Sequence, residues 1–189
     1  MFVLFARAWV KRSMFLPAAA VVAAFAISAQ KTEAQTTAPA KTASAASAAV
    51  MMAQTEGKTI DGNPFKLSSL KGKVVLVMYW STGCAVCRDK MPELRSNYEG
   101  WMGKPFELVA ISTDSRVQDL LDYERIISRT VPIKQRFVQL WTGETEYKDN
   151  LGKHAQLPSA YLVDKTGKIV ERYTGRIPAE AWDKIADLL

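Results

Sequence analysis

Apolar and polar positions alternate along this chain with changing period, and the changes mark its elements. Residues 74–80, Val-Val-Leu-Val-Met-Tyr-Trp, form a continuous apolar run between Lys71-Gly72-Lys73 and Ser81-Thr82-Gly83. A short apolar run bounded by turns is the pattern of a strand covered on both faces. The pattern then becomes helical, predicting a helix from about Cys84 to Tyr98, with Pro92 inside it removing one backbone donor and kinking it. Residues 106–112 form the next strand, Thr113-Asp114-Ser115 offers a cap, and a helix follows over about 116–129. Further on, 136–141 reads as a strand and Glu144 to Leu151 as a short helix. Residues 160–164 and 168–173 flank Asp164-Lys165-Thr166-Gly167 as an antiparallel hairpin. Pro178 opens a last helix with Trp182, Ile185, Ala186 and Leu189 on one face. Ahead of all this, 58–66 reads as a strand pair around the turn Asp61-Gly62-Asn63-Pro64. The order β-hairpin, βαβ, αβ, ββα predicts an α/β fold, a mixed central sheet flanked by helices on both faces.

The first 53 residues follow other rules. Residues 1–12 hold Arg7, Lys11 and Arg12 and no acid, and residues 14–29 are uncharged and mostly apolar. A basic stretch followed by an apolar core is the pattern of a secretory signal, and the run falls short of the roughly 20 residues of a spanning helix. Residues 1–29 are therefore expected to act as a signal peptide, with a membrane anchor as the alternative. Residues 30–53, rich in Ala, Thr, Ser and Gln, read as a flexible linker. Residues 54–189 remain as one domain, long enough for a real core.

Charge changes little once this division is made. The whole chain carries +6; residues 1–53 hold five Lys plus Arg against one acid, and residues 54–189 hold twenty against eighteen. A domain at +2 has no electrostatic footprint for nucleic acid.

The candidate chemistry lies just after the first buried strand. Cys84 and Cys87 are the only cysteines, three positions apart, between a strand and a helix. Free N–H groups at a helix start, with the macrodipole, favour the thiolate of Cys84, and the thiolate is the form that attacks a disulfide. A static disulfide closing so short a loop removes little unfolded-chain entropy. A structural zinc site needs about four ligands, and one histidine, His154, leaves the set short. The pair therefore reads as a redox dithiol, and in an oxidising compartment it needs a source of electrons. No cofactor is called for.

Residues 54–189 resemble the thioredoxin superfamily, and within it the exported TlpA/ResA-like thiol–disulfide reductases. The resemblance rests on Leu67-Ser68-Ser69-Leu70-Lys71-Gly72-Lys73 leading into 74–80, Cys84-x-x-Cys87 followed by Met91-Pro92, the βα segment 106–130, and Leu157-Pro158-Ser159-Ala160-Tyr161-Leu162-Val163-Asp164. It implies a thioredoxin-like fold with an N-terminal hairpin and a βα insertion. It also implies a cis Leu157–Pro158 bond facing the dithiol, catalytic roles for Cys84, Cys87 and Pro158, and substrate contacts from Trp80, Gly83 and Leu157. The implied partners are client proteins with disulfides and a membrane electron donor. The implied setting is the periplasm or another exported compartment, with apocytochrome c among possible clients and a tether through residues 1–29 an option.

Three departures stand out. Met78 occupies the place of plain thioredoxin's buried Asp, Gly83 that of its Trp, and Lys90 that of the Glu often found three residues after the second Cys in ResA-like chains. The usual proton acceptor for the second thiol is thus missing, and Asp89 and Glu93 read as a solvated helix face. Two rival functions remain. A peroxiredoxin-type peroxidase would use Cys84 on peroxide, although Ser81 stands where that group has Thr. A Sco-like copper chaperone would use Cys84, Cys87 and His154, since soft thiolates suit Cu(I), although that group spaces its cysteines one residue wider.

Overall fold

The computed structural model describes residues 51–189, so the expected signal, 1–29, and almost all of the expected linker lie outside the described residues. The strands are β1 (Thr55–Lys58), β2 (Pro64–Lys66), β3 (Val74–Trp80), β4 (Phe106–Ser112), β5 (Val138–Trp141), β6 (Lys148–Asp149), β7 (Ser159–Val163) and β8 (Ile169–Thr174). The helices are α1 (Ala85–Gly100), α2 (Val117–Thr130) and α3 (Glu180–Leu188), with a 3-10 turn at Leu67–Leu70. The main sheet runs β5-β4-β3-β7-β8, and a small one runs β2-β1-β6. β3 pairs parallel with β4, and β4 with β5, while β7 runs antiparallel to both β3 and β8.

This is the mixed α/β architecture that the pattern predicts, and every residue of β3 and β4 is buried. Side chains alternate across the sheet. Val74, Leu76, Met78 and Trp80 pack with Cys87, Met91 and Leu94 of α1, Leu120 of α2, and Ala181 and Ile185 of α3. Val75, Val77 and Tyr79 face the other way, onto Phe65, Leu67, Leu151 and Tyr161. All three α-helices therefore lie on one face, which corrects the expected placement of helices on both. The crossovers β3-α1-β4 and β4-α2-β5 step the same way along the sheet, and right-handed connections put both helices on the same side. The small sheet and the 3-10 turn cover the other face. Cys87, Met91 and Leu94 sit at helical spacing on the inner side of α1, whereas Pro92 is exposed and α1 continues through it.

Three local expectations are corrected. The short helix at Glu144–Leu151 is instead a turn ending in β6, which pairs with β1. There the Glu144 carboxylate accepts the Glu146 N–H at 3.0 Å and Asp149 accepts the Leu151 N–H at 2.9 Å, local bonds that compete with a helix. The segment Thr113-Asp114-Ser115 does not cap α2; its N-cap is Arg116, with no side-chain bond. On α3, Ala186 is exposed, and Ala181 joins Ile185 on the buried face.

The outer edges of the main sheet differ. That of β5 is covered by the chain after β1, where the Ile60 N–H donates to the Gln139 carbonyl at 3.0 Å and Thr59 bridges Leu140. The start of β8 is met by Met51 and Met52, and Gly167 in the preceding turn, at φ +94°, lies where a Cβ would come within 3.1 Å of Met52.

Candidate active site

The centre is the junction of β3 and α1. Trp80 ends the buried strand, Ser81 to Gly83 turn the chain, and Cys84 is the N-cap of α1. Cys84 and Cys87 are joined as a disulfide with their Cα atoms 5.2 Å apart. The Cys87 N–H points at Cys84 Sγ, 3.1 Å away, so an otherwise unpartnered amide of the first turn is spent on the sulfur. Cys84 is half-buried and Gly83 exposed, with open space where a Cβ would stand. Cys87 has no exposed surface and belongs to the helix-face core. The two sulfurs thus differ in access: one can meet a partner, and the other can be reached only through the first.

The Leu157–Pro158 bond is cis, as the resemblance implies. Ser159 pairs with Tyr79, so the strand register carries Pro158 to the end of the sheet where β3 runs out toward Cys84. Pro158 is buried, its carbonyl accepting the Gly175 N–H at 2.8 Å. Leu157 is half-buried and, like Cys84, packs at the margin of the helix-face core. Trp80 needs correction. Its side chain is fully buried, and its indole N–H donates to Gln139 Oε1 at 3.3 Å. It offers no surface to a client, and its contribution is to anchor the strand end.

The residues considered as proton acceptors are engaged elsewhere. Asp89 is exposed and meets Arg176 at 3.3 Å. Lys90 is buried and donates to Glu93 at 2.6 Å, so the cation three residues after Cys87 is neutralised within its own helix. Burial pushes the Glu93 carboxyl up, but hydrogen bonds from Lys90 and the Trp182 indole outweigh this and hold it below the usual range. A different acid emerges on this face. Gln139, which takes the Trp80 N–H, donates to Glu124 Oε1 on α2 at 3.1 Å. Burial raises the Glu124 carboxyl against the opposing pull of Arg95, Arg136 and Gln139. No motif marks Glu124; only the register of Gln139 with Ala110 and Met78 puts it on the dithiol's side of the sheet.

Asp114 is the other residue that sequence reasoning misplaced. Its carboxylate accepts the Thr82 N–H at 3.0 and 3.1 Å, the Thr82 hydroxyl at 2.9 Å and the Ser112 hydroxyl at 2.7 Å. Its carbonyl takes the Trp141 indole N–H at 2.7 Å. The Trp141 ring lies over Gly143, where an added Cβ would come within 2.3 Å of it. Pairing of Trp80 with Ser112 and of Ser112 with Trp141 brings these residues to the sheet end. The signal was present as Ser-x-Asp at a strand end, a pattern shared with helix caps.

His154 lies on the opposite face. Its ring stacks on Tyr79 with centroids 3.3 Å apart, and both ring nitrogens are buried without hydrogen-bond partners. Burial lowers its pKa below the ordinary 6.5, with Asp149 opposing and Arg172 adding to the effect. A copper set of Cys84, Cys87 and His154 is not assembled. Among the described residues, no group of three or more His, Cys, Asp or Glu side chains is arranged to hold a metal ion.

A sequence profile of the AhpC/TSA family matches residues 48–179. The chain belongs to the AhpC/TSA family. Among curated proteins, this AhpC/TSA chain is similar to the thiol-disulfide oxidoreductase ResA of Bacillus cereus, 26% identical over 118 residues, which cover 61% of this chain and 63% of that one. It is similar also to the ResA of Oceanobacillus iheyensis, 30% identical over 118 residues, 62% of this chain and 58% of that one. The chain thus spans about three-fifths of the length of these relatives. Among solved structures it resembles the thioredoxin domain of a thiol-disulfide oxidoreductase from Bacteroides vulgatus (TM-score 0.54, 27% identity, 73% of this chain and 94% of that one). StoA from Bacillus subtilis shares the fold (TM-score 0.51, 20% identity, 73% of this chain and 96% of that one). The fold is thioredoxin-like, and the resemblance to ResA-like proteins is borne out.

Proposed function

We propose that this protein is an exported thiol–disulfide oxidoreductase that reduces disulfides in client proteins. The observation that carries this reading is the asymmetry of the pair, with a half-buried Cys84 at the helix N-cap bonded to a fully buried Cys87. In the reduced protein, the Cys84 thiolate attacks one sulfur of a client disulfide. The client S–S bond breaks, its other sulfur leaves as a thiolate, and a mixed disulfide forms. Cys87, deprotonated, then attacks Cys84 Sγ, releasing the second client sulfur and closing the Cys84–Cys87 bond. Two electrons pass to the client, and the pair must be recharged by a dithiol donor, for which a membrane electron carrier is the natural source. The Cys87 N–H beside Cys84 Sγ and the macrodipole of α1 favour the attacking thiolate. Cys84, Cys87 and Pro158 form the reactive edge, and Gly83 and Leu157 flank the place where an extended client segment lies.

The basic and apolar leader, together with the ResA names of the relatives, supports export to a periplasm-like compartment, with apocytochrome c a fitting client and residues 1–29 serving as export signal or membrane anchor. The test is trapping. Cys87→Ser, expressed in full-length form, should accumulate mixed disulfides through Cys84 on non-reducing gels, and Cys84→Ser should not. Equal adducts from both variants would reverse the order of attack. Faster turnover of hydrogen peroxide than of insulin disulfides would replace this reading with the peroxidase one.

A further inference from the structure

The turn that presents Cys84 is held from outside its own segment. Thr82, two residues before Cys84, gives its N–H and its hydroxyl to Asp114, while Arg88 Nη1 donates to the Thr82 carbonyl at 2.6 Å. One residue earlier in the loop, Thr113 donates its N–H and its hydroxyl to the Trp80 carbonyl at 2.8 and 3.1 Å. The loop after β4 therefore holds the start and the middle of the short connection from β3 to Cys84. Asp114 is itself fixed by Ser112 and by the Trp141 indole.

This hold matters unequally in the two redox states. In the disulfide, the Cys84–Cys87 bond already ties Cys84 to the first turn of α1. After reduction that tie is gone, leaving the Arg88 N–H to the Cys84 carbonyl and the Cys84 N–H to the Ser81 carbonyl, both at 3.1 Å, the Cys87 N–H to Cys84 Sγ, and the bonds of Thr82 to Asp114 and Arg88. Of these, the Asp114 bonds alone come from outside the turn and α1. A charged acceptor with several donors makes the stronger kind of hydrogen bond. We propose that Asp114 is the positioning residue of the redox turn, acting through Thr82 to keep Cys84 at the N-cap of α1 in the dithiol state and thereby setting the reduction potential of the pair. This rests on the thiol–disulfide reading above. A group that stabilises the reduced form more than the oxidised form raises the potential, so its removal lowers it.

The experiment is a glutathione redox titration of the full chain. Two glutathione thiols deliver two electrons to the Cys84–Cys87 bond, giving the dithiol and glutathione disulfide, and no client is needed. Asp114→Ala should shift the equilibrium about tenfold toward the protein disulfide, about 30 mV more negative. Cys84 should also alkylate more slowly with iodoacetamide at pH 7. Asp114→Asn, which keeps one carbonyl acceptor, should fall between wild type and Asp114→Ala. Thr82→Val, which keeps the backbone donor, should shift in the same direction by less and stands in if the Asp114 variants fold poorly. A potential unchanged in Asp114→Ala shows that Asp114 supports both states equally and overturns the proposal. A raised potential shows that its charge acts mainly against the thiolate, and overturns it too. A wild-type protein that equilibrates with glutathione but leaves insulin disulfides intact would remove the reductase reading without touching this measurement.

Discussion

Tyr79 and Trp80 are consecutive residues of one strand and are equally buried, but they face two different interiors. Trp80 enters the helix side, edge-on to Tyr123 at 5.0 Å, with Gln139 taking its single N–H among Leu, Met and Ile side chains. Tyr79 enters the other side, stacked on His154, with its hydroxyl 3.2 Å from that of Tyr147, which in turn donates to Asp149. The first interior is mostly apolar, crossed by the single polar line Trp80–Gln139–Glu124, and houses the buried sulfur. The second is governed by hydrogen bonds and protonation and abuts the loop leading to Pro158. One strand end thus joins a dry support for Cys87 to a polar support for the segment opposite it.

The largest expected effect tests the dry side. Leu94→Ala removes a fully buried side chain of α1 and should cost about 2–5 kcal/mol in a denaturant melt. A loss under about 1 kcal/mol would show that α1 is not seated as described. Trp80→Phe comes next, at about 2 kcal/mol, because Gln139 Oε1 loses its donor inside the core. The matching change on the polar side, Tyr79→Phe, removes one hydroxyl of a linked pair and should cost about 1 kcal/mol. If Tyr79→Phe proves the costlier of the two, the contrast between the faces is inverted.

A smaller effect depends on pH. Because burial holds His154 below its ordinary pKa of 6.5, the unfolded chain takes up this proton first as pH falls. The contribution of neutral His154 is therefore complete above pH 6.5 and is lost as pH drops from there through its lower folded value. His154→Phe, which keeps a ring on Tyr79, should flatten that part of the stability–pH curve while the core variants leave its shape alone. Smallest of all, Asp89→Ala breaks only an exposed pair with Arg176 and should change stability by about 0.5 kcal/mol or less.

What the sequence revealed follows from how local each signal is. The buried run 74–80, the Cys-x-x-Cys after it and the hairpin around Asp164–Gly167 are written in consecutive residues, and they stand where the pattern put them. Asp114 illustrates the other case. An Asp after a strand and before a helix suits a cap equally well, and only the pairing of β3 with β4 reveals that Thr82, thirty-two positions earlier, is the donor it serves. Glu144–Leu151 failed similarly, since its helical spacing was overridden by pairing of Lys148 and Asp149 with β1. Lys90 stood out only as a departure from the family's Glu, and nothing in its polar neighbours showed that it is buried and paired with Glu93. His154 entered only as a candidate metal ligand, and nothing near it in the sequence announced Tyr79 as its stacking partner.

The two unequal sheet edges bear on how the protein behaves when concentrated. A bare strand edge is a template on which further chains can polymerise. On the β5 side that template is occupied by the protein's own Thr59 and Ile60. On the β8 side, among the described residues, the stretch beyond Met51 and Met52 runs from Glu171 to Thr174 and carries Glu171 and Arg172 on opposite faces. A stretch so short, with opposite charges fixed along it, gives an incoming strand little ladder to extend and two ions to desolvate. Dense solutions of the folded domain are accordingly expected to remain dispersed, with light scattering that does not grow on standing.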